Sequence, residues 1–465
     1  MTASGADATA RRDAFVHAFR ERLAQRREGG GEPARLGKPL SNLFRTRTGR
    51  GRLDAGQLGH VLAVDPGART ADVEGMAPYD RVVAATLRHD LLPAVVPELR
   101  SITVGGAIAG VGVESSSFRH GFVHETAEEL EVLTGDGSVV ICTPRNAHRD
   151  LFFAMANSYG TLGYVLRARI RLVPVRPFVE LHHLRFTDLE ACFAAVSRIA
   201  AAERAGAPDA PHFLDGVVFG GRESYLTLGR FVDAAPFVSD YSYLRIYYRS
   251  IRERSRDFLS ASGYVWRWDA DWFWCSRPFG MENLLLRALL GRFCLSSRFY
   301  WRVMHLYRKH RVEARWNRMT GRLRRSAPRE PVIQDVEIPL EGAAACVDFL
   351  LREIGIAPIW ICPVRTSPIG GRFPLYAMDP GRLYVNLGFW GSVPLAPGQR
   401  PGDPNRAIER RVAELDGRKS LYSTSFYAPE EFWRTYGGDD YRKLKHRYDP
   451  ERFLPDLYEK CVEGR

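Results

Sequence analysis

The stretch VPELRSITVGGAIAGVGVESSSFRHGFVHE, residues 96–125, decides how this chain is read. It carries Gly105, Gly106, Gly110, Gly112 and Gly121, with the hydroxyl run Ser115, Ser116, Ser117 between the last two of these glycines. Glycine at this density lets backbone N–H groups approach a phosphate closely, because no Cβ intrudes. Thr103 and the three serines would add hydroxyl donors toward the same anion. A plain turn-rich connection has the same composition, so the run needs its context. A Rossmann dinucleotide site requires G-x-G-x-x-G directly after a strand and opening a helix. Here GVGVESSS leads into FRHGFV without helical periodicity, so a dinucleotide would have to bind in a different fold.

Working outward, HVLAVDPGARTADVEG (60–75) reads as strand, Asp-Pro-Gly turn and strand. PYDRVVAATLRHDL (78–91) has the spacing of a helix that Pro93 stops. ELEVLTGDGSVVICTP (129–144) is a second hairpin about Gly-Asp-Gly, followed by a short helix near DLFFAMANSYG. GYVLRARIRLVPV (163–175) alternates as a half-exposed strand does. The N-terminal RRDAFVHAFRERLAQRRE (11–28) places Phe15, Phe19 and Leu23 on one helical stripe that GGGEP ends. The first 175 residues are thus α+β, with hairpins in place of βαβ crossovers. Strand patterns return in PIWICPV (358–364) and RLYVNLGFWG (382–391), and the tail predicts helices separated by Gly-Gly and Asp-Pro.

At 465 residues the chain has room for two or more domains. Its seven cysteines are odd in number, scattered and free of CxxC pairs, which suggests neither a zinc ribbon nor a disulfide framework. No secretory h-region and no run of about 18 apolar residues is present, so a cytoplasmic location is expected. The formal net charge of +12 is concentrated between Arg245 and Arg325, where 19 Lys/Arg face 6 Asp/Glu. That stretch is also rich in Trp, Tyr and Phe. It reads either as a solvated basic face over an aromatic core, or as a surface that contacts anionic lipid at the inner face of a membrane. No nucleic-acid-binding motif accompanies it, and nucleic acid is not expected as a partner.

TVGGAIAGVGVESSSFRHG, ELEVLTGDGSVVICTP and DLFFAMANSYGTLGYVLRARIRLVP, in this order and spacing, resemble the FAD domain of the vanillyl-alcohol-oxidase (PCMH-type) flavoprotein family, in its Δ24-sterol reductase branch. The resemblance continues in patches through PIWICPV and EEFWRTYGG…YRKLKHRYDP…FLPDLYEK. It implies an α+β protein with a two-subdomain PCMH-type FAD-binding domain and an α+β substrate (cap) domain. The expected division is a helical segment 1–37, the FAD domain 38–175, the cap 176–430, and a segment 431–465 that returns to the FAD domain. The implied FAD contacts are Pro97; Thr103, Val104, Gly105, Gly106, Ala107, Ile108, Ala109, Gly110, Val111, Gly112, Val113, Glu114 and Ser115 at the pyrophosphate; Ser116, Ser117 and Gly121 after it; and Gly160, Thr161, Gly163 and Val165 on the other side. Glu114 would be repelled by a pyrophosphate unless paired, with Arg119 as the expected partner. Many relatives carry an earlier glycine-rich loop with a flavin-linked histidine. Here KPLSNLFRTRTGRG (38–51) stands in that place and His60 reads as structural, so noncovalent FAD is expected. No metal site is suggested.

The resemblance also implies reduction of a carbon–carbon double bond in an apolar substrate, with NADPH as reductant. An isolated alkene needs an acid to protonate one carbon as hydride reaches the other. The Arg-, Gly- and Ala-rich composition points to a GC-rich bacterial source, where the related reduction of a 10-methylene acyl chain to 10-methyl, in tuberculostearate synthesis, fits better than sterol chemistry. A lipid or acyl substrate and a SAM-dependent methyltransferase partner follow from that reading. The alternatives are a Δ24-sterol-type reductase, an alditol or aldonolactone oxidase, and a flavin-binding scaffold for the methyltransferase. Candidate catalytic residues are Arg365 after the PIWICPV strand, Tyr384 and Asn386 on one face of RLYVNLGFW, and Lys445 and Tyr448, with His446, in LKHRYDP. Each has an ordinary reading too, as a surface cation, a half-buried tyrosine or a helix-terminal charge.

Overall fold

The computed structural model of the chain describes residues 5–29, 34–37, 52–300, 302–303, 328–366 and 371–464. Two antiparallel sheets organise them. The first holds Val61–Asp65, Thr70–Glu74, Gly163–Pro174, Ala127–Thr134 and Val139–Cys142 in that spatial order, with Leu91–Pro93 added on the long central strand. Every pairing in it is antiparallel, as the hairpin reading of the first 175 residues requires. The alternation in Gly163–Pro174 is real: Leu166, Ala168, Ile170 and Leu172 are buried, and Arg167 and Arg169 face Asp72 and its neighbours on the other side.

The change of sheet falls between Pro174 and Phe178. The second sheet has eight strands, in the order Arg256–Ser260, Phe178–Phe186, Glu223–Val232, Phe213–Gly220, Ile359–Arg365, Leu383–Pro394, Arg329–Pro339 and Arg418–Lys419. Period-2 alternation sorts its two faces. Val332, Val336, Ile338, Ile359, Ile361, Val385, Leu387 and Phe389 pack into one core with the helices Leu189–Arg204, Leu340–Phe349 and Asp403–Glu414. The intervening residues turn the other way: Trp360 and Cys362 join an aromatic layer containing Tyr247, Trp268, Phe273 and Trp274. That layer comes from the basic, aromatic stretch, whose rings in this part are buried. Thus the architecture is an α+β FAD-type domain with a separate antiparallel cap sheet.

The C-terminal segment closes against the first sheet. The Ala34 N–H donates to the Phe453 carbonyl at 2.7 Å, and that of Gly135 to Tyr448 at 2.8 Å. The N-terminal helix Gly5–Gly29 buries Phe15, Val16, Phe19 and Leu23 beside Phe453 and Leu454.

Candidate active site between the glycine run and the cap sheet

The glycine run is partly helical, against expectation. Val104–Ala109 forms a helix of six residues, with the Thr103 hydroxyl capping it by accepting from the Gly106 N–H at 3.3 Å. Its first amides are already engaged: Val104 with the Ala77 carbonyl, Gly105 with Gly75, Ala107 with Thr103. Gly105 is required by close packing, since a Cβ there would lie 2.8 Å from the Gly75 carbonyl oxygen and 3.2 Å from Val165. Val104, Ile108 and Ala109 face the domain core.

What remains of the run forms one wall of a cavity of about 340 Å³, within the range of small-molecule sites. Pro97, Glu98, Thr103, Gly106, Ala107, Gly110, Val111, Gly112 and Val113 line it on this side. Trp272, Phe273, Trp360, Trp390, Tyr422 and Asp335 line it on the cap side. Val111, Tyr159, Trp272 and Phe273, all in the lining, have positive φ. A β-branched valine at φ 51° is sterically costly, and backbone strain of this kind gathers at functional sites.

The serine run does something other than expected. Ser115 donates to Glu114 at 2.7 Å and meets the Tyr264 hydroxyl at 2.8 Å. Ser116 donates to the Ala94 carbonyl at 2.8 Å, and Ser117 Oγ accepts from the Glu114 N–H at 3.0 Å. All three are buried and spent on protein. Glu114 pairs with Arg267 at 3.1 Å rather than with Arg119, which instead meets Glu203 at 3.0 Å. The same guanidinium reaches Asp215 on the cap sheet at 2.7 Å and lies over the Tyr264 ring at 4.0 Å. With Arg267 fully buried, Glu114 and Ser115 tie this segment to Arg267 and Tyr264 on the cap side, while the Ser116 and Ser117 side chains bond on their own side. Gly121, at φ 77°, packs on Glu125. Gly160, Thr161, Gly163 and Val165 lie outside the cavity lining: Thr161 donates to the Ser158 carbonyl, and Gly163 is pressed against Val132 and Leu133.

Of the catalytic candidates none lines the cavity, and only Asn386 touches a residue that does, Asp335. The Asn386 side-chain amide donates to Asp335 Oδ1 at 3.1 Å. Arg365 instead bonds the Ala200 carbonyl at 3.2 Å, and the Tyr384 hydroxyl accepts from the Asp379 N–H at 3.1 Å. Lys445 is buried among the Thr161, Leu454 and Pro455 carbonyls and paired with Asp449 at 2.7 Å. Tyr448 donates to Asp150 at 2.8 Å and meets His148 at 3.0 Å, while His446 is exposed. Lys445 and Tyr448 therefore fasten the C-terminal segment to the FAD-type domain. His60 is held by Glu74 at 2.8 Å. The earlier phosphate-loop counterpart, 38–51, lies outside the described residues.

Sequence reasoning missed Asp335. It stands on Arg329–Pro339 opposite Gly388, which in turn stands opposite Trp360. A Cβ on Gly388 would fall 2.6 Å from Asp335 Oδ1 and 2.7 Å from the Trp390 ring, so glycine makes the room both side chains use. The Tyr422 hydroxyl bonds the same carboxyl and accepts from Trp390 Nε1 at 2.9 Å. Burial pushes the Asp335 carboxyl up to about 6, against the pull of Asn386 and Tyr422. On the opposite wall, burial and then the Glu114 carboxylate push Glu98 well above the usual range, and its Oε1 has no hydrogen-bond partner. Two residues on, Glu337 is held by the Tyr376 hydroxyl, and burial raises it to about 8. A signal existed in VIQDVEIP: two acids at i, i+2 interleaved with apolar residues, on a strand that becomes buried on both faces from Val336 onward.

The cavity joins a glycine-walled side, bare of side chains at Gly106, Gly110 and Gly112, to an aromatic side carrying the Asp335 carboxyl, which burial raises. Residues 40–143 match the family model described as FAD binding domain. The chain carries an FAD-binding domain. Beyond it, the chain is similar to Delta(24)-sterol reductase of Homo sapiens, 27% identical over 422 residues that span 87% of this chain and 76% of the relative. The Arabidopsis thaliana Delta(24)-sterol reductase is 25% identical over 461 residues, 92% of this chain and 79% of that one. Cytokinin dehydrogenase 4 of Oryza sativa is 24% identical over 405 residues, 82% and 70% of the two chains. The chain is an FAD-binding oxidoreductase akin to the Delta(24)-sterol reductases.

Proposed function

We propose that this protein is an FAD-dependent, NADPH-using reductase of an isolated carbon–carbon double bond in a lipid. Its best-fitting substrate is the 10-methylene acyl chain of a phospholipid, reduced to 10-methyl. A methyltransferase that makes the methylene group would be its partner. The observation that carries the reading is the pairing of an aromatic, largely apolar cavity with Asp335, a carboxyl raised to about 6. Reducing an unactivated alkene requires an apolar enclosure and a poised acid together. A polyol would leave most of its hydroxyls unpaired against Trp272, Phe273, Trp360 and Trp390, which disfavours the alditol-oxidase alternative. The relatives named Delta(24)-sterol reductase lend support to alkene reduction in general, and sterol reduction is the second substrate class to try.

Bound FAD would supply the hydride, and NADPH would restore it. The wall Pro97–Val113 would hold the cofactor by backbone contact and by apolar surface. Trp272, Phe273, Trp360 and Trp390 exclude water from the alkene. Asp335 delivers the proton to the second alkene carbon, and Asn386 and Tyr422 hold its carboxyl in place from two sides. Near neutral pH this acid can be reprotonated after each turnover, as a catalytic acid must. Burial favours the uncharged form of Glu98 on the opposite wall, and the Arg267 clasp neutralises Glu114 beneath it.

The test is incubation of the FAD-loaded protein with NADPH and a methylene-phospholipid, followed by mass analysis of the acyl chain. The reading expects a gain of two hydrogens on the branched chain. NADPH consumption without that gain, with sterol and acyl alkenes alike, would overturn it.

A further inference from the structure

The helix Leu284–Cys294, LLLRALLGRFC, is built inside out. A helix on the surface of a soluble domain buries its apolar stripe and exposes its charges. Here Leu285, Leu289 and Phe293, at i, i+4 and i+8, are 76%, 74% and 82% exposed, and Leu284, Leu286 and Leu290 are exposed beside them. Arg287, by contrast, is fully buried. Its guanidinium is paired with Asp271 at 2.6 Å and donates to the Met281 carbonyl at 3.2 Å and the Arg245 carbonyl at 3.1 Å. Asn283 caps the start of the helix through the Leu285 and Leu286 amides, and the Tyr243 hydroxyl bonds the Ala288 carbonyl. The polar contacts therefore fix the helix from within and present its leucines outward.

Residues 283–303 contain four arginines and no acidic residue. Arg298 and Arg302 are exposed just past the helix, and Arg277 and Arg245 on the segments around it. Exposed leucines ringed by arginine match an anionic bilayer surface, where apolar side chains enter the acyl boundary and cations meet headgroups. Among the described residues no helix is long and apolar enough to cross a membrane. At about 1.5 Å per residue these eleven residues would instead lie along the surface. The helix is also bracketed by the cavity: Trp272 and Cys275 before it and Ser297 after it line the proposed alkene site, and Asp271, its anchor, adjoins Trp272.

We infer that Leu284–Cys294 is a membrane-docking helix that seats the mouth of the cavity on anionic phospholipid. The surface is defined by exposure and charge, and only its use as an entry route rests on the proposed lipid reaction. The test is co-sedimentation of the full-length, FAD-loaded protein with phosphatidylglycerol-containing vesicles and with pure phosphatidylcholine vesicles, in the absence of turnover. Wild type should partition to the anionic vesicles and be released as salt rises. The triple variant L285Q/L289Q/F293Q, altered only at exposed positions, should lose at least about tenfold in partitioning with its flavin spectrum unchanged. Equal partitioning of variant and wild type would overturn the inference. So would a wild type that ignores vesicles and forms a dimer that the variant abolishes, since a second copy would then cover the helix. Vesicle binding without alkene reduction would leave the docking surface standing and sink the reaction instead.

Discussion

Replacing Asp335 with asparagine removes one proton and one charge while keeping the shape and the hydrogen-bond acceptor that Asn386 and Tyr422 address. The carboxyl is held at about 6 against an ordinary value of 3.8. The native state therefore binds this proton more tightly than the unfolded chain does. Stability falls as pH rises from about 4 through about 6, and by pH 8 the ionised group costs up to about 3 kcal/mol. Asp335 is only partly buried, so that figure is an upper bound. Asn carries no such cost. Urea unfolding should find D335N equal to wild type or more stable at pH 8, with the difference shrinking toward pH 4. Turnover should move the opposite way: loss of a general acid lowers kcat by about 10²- to 10⁴-fold. Wild-type kcat/KM should fall as pH rises through about 6, and the residual rate of D335N should be flat over the same range. A D335N enzyme that keeps its kcat and the wild-type basic limb would refute the assignment of Asp335 as the proton donor.

Three further outcomes follow from the contacts. R267M leaves Glu114 and Asp215 buried without their cation and should cost about 3–5 kcal/mol in urea unfolding, part of which E114Q and D215N restore when combined with it. K445M strips Asp449 of its partner and should destabilise by a similar amount, about 3–5 kcal/mol, lowering the thermal midpoint of the FAD-loaded protein without changing KM for NADPH. Y448F loses its bonds to Asp150 and His148, so steady-state assays should show unchanged kcat with about 1 kcal/mol less stability; a large fall in kcat would return Tyr448 to the catalytic machinery.

Much of the fold was legible because its signals are local. The Asp-Pro-Gly and Gly-Asp-Gly turns mark the two hairpins, and the alternation in GYVLRARIRLVPV marks the central strand. The cap strands around Trp360 and Trp390 declare themselves by period 2. The site was legible on one wall only. Pro97, Thr103, Gly106, Ala107 and the residues from Gly110 to Val113 do line the cavity, but Gly105 and Gly163 are glycine for packing, Ile108 and Ala109 face the core, and Ser115–Ser117 bind protein. Composition cannot separate a glycine that faces a ligand from one that faces another backbone. Asp335 lay hidden because its role depends on strands far apart in sequence: Gly388 clears its space, Asn386 and Tyr422 hold it, and Glu98 faces it from residues nearly 240 positions earlier. Lys445 and Tyr448 misled for the converse reason. Polar groups in a returning C-terminal segment resemble site residues until their carbonyl and carboxylate partners are known. The inverted helix Leu284–Cys294 was visible as charge and aromatics but not as exposure, because burying Arg287 depends on Asp271.

The most direct test of the central claim is an anaerobic titration followed by visible absorbance. The purified protein, reconstituted with FAD where needed, should show flavin bands that NADPH bleaches and that a methylene-phospholipid then restores. Absence of a flavin spectrum after reconstitution would contradict the account, as would bands that NADPH leaves untouched and a polyol bleaches.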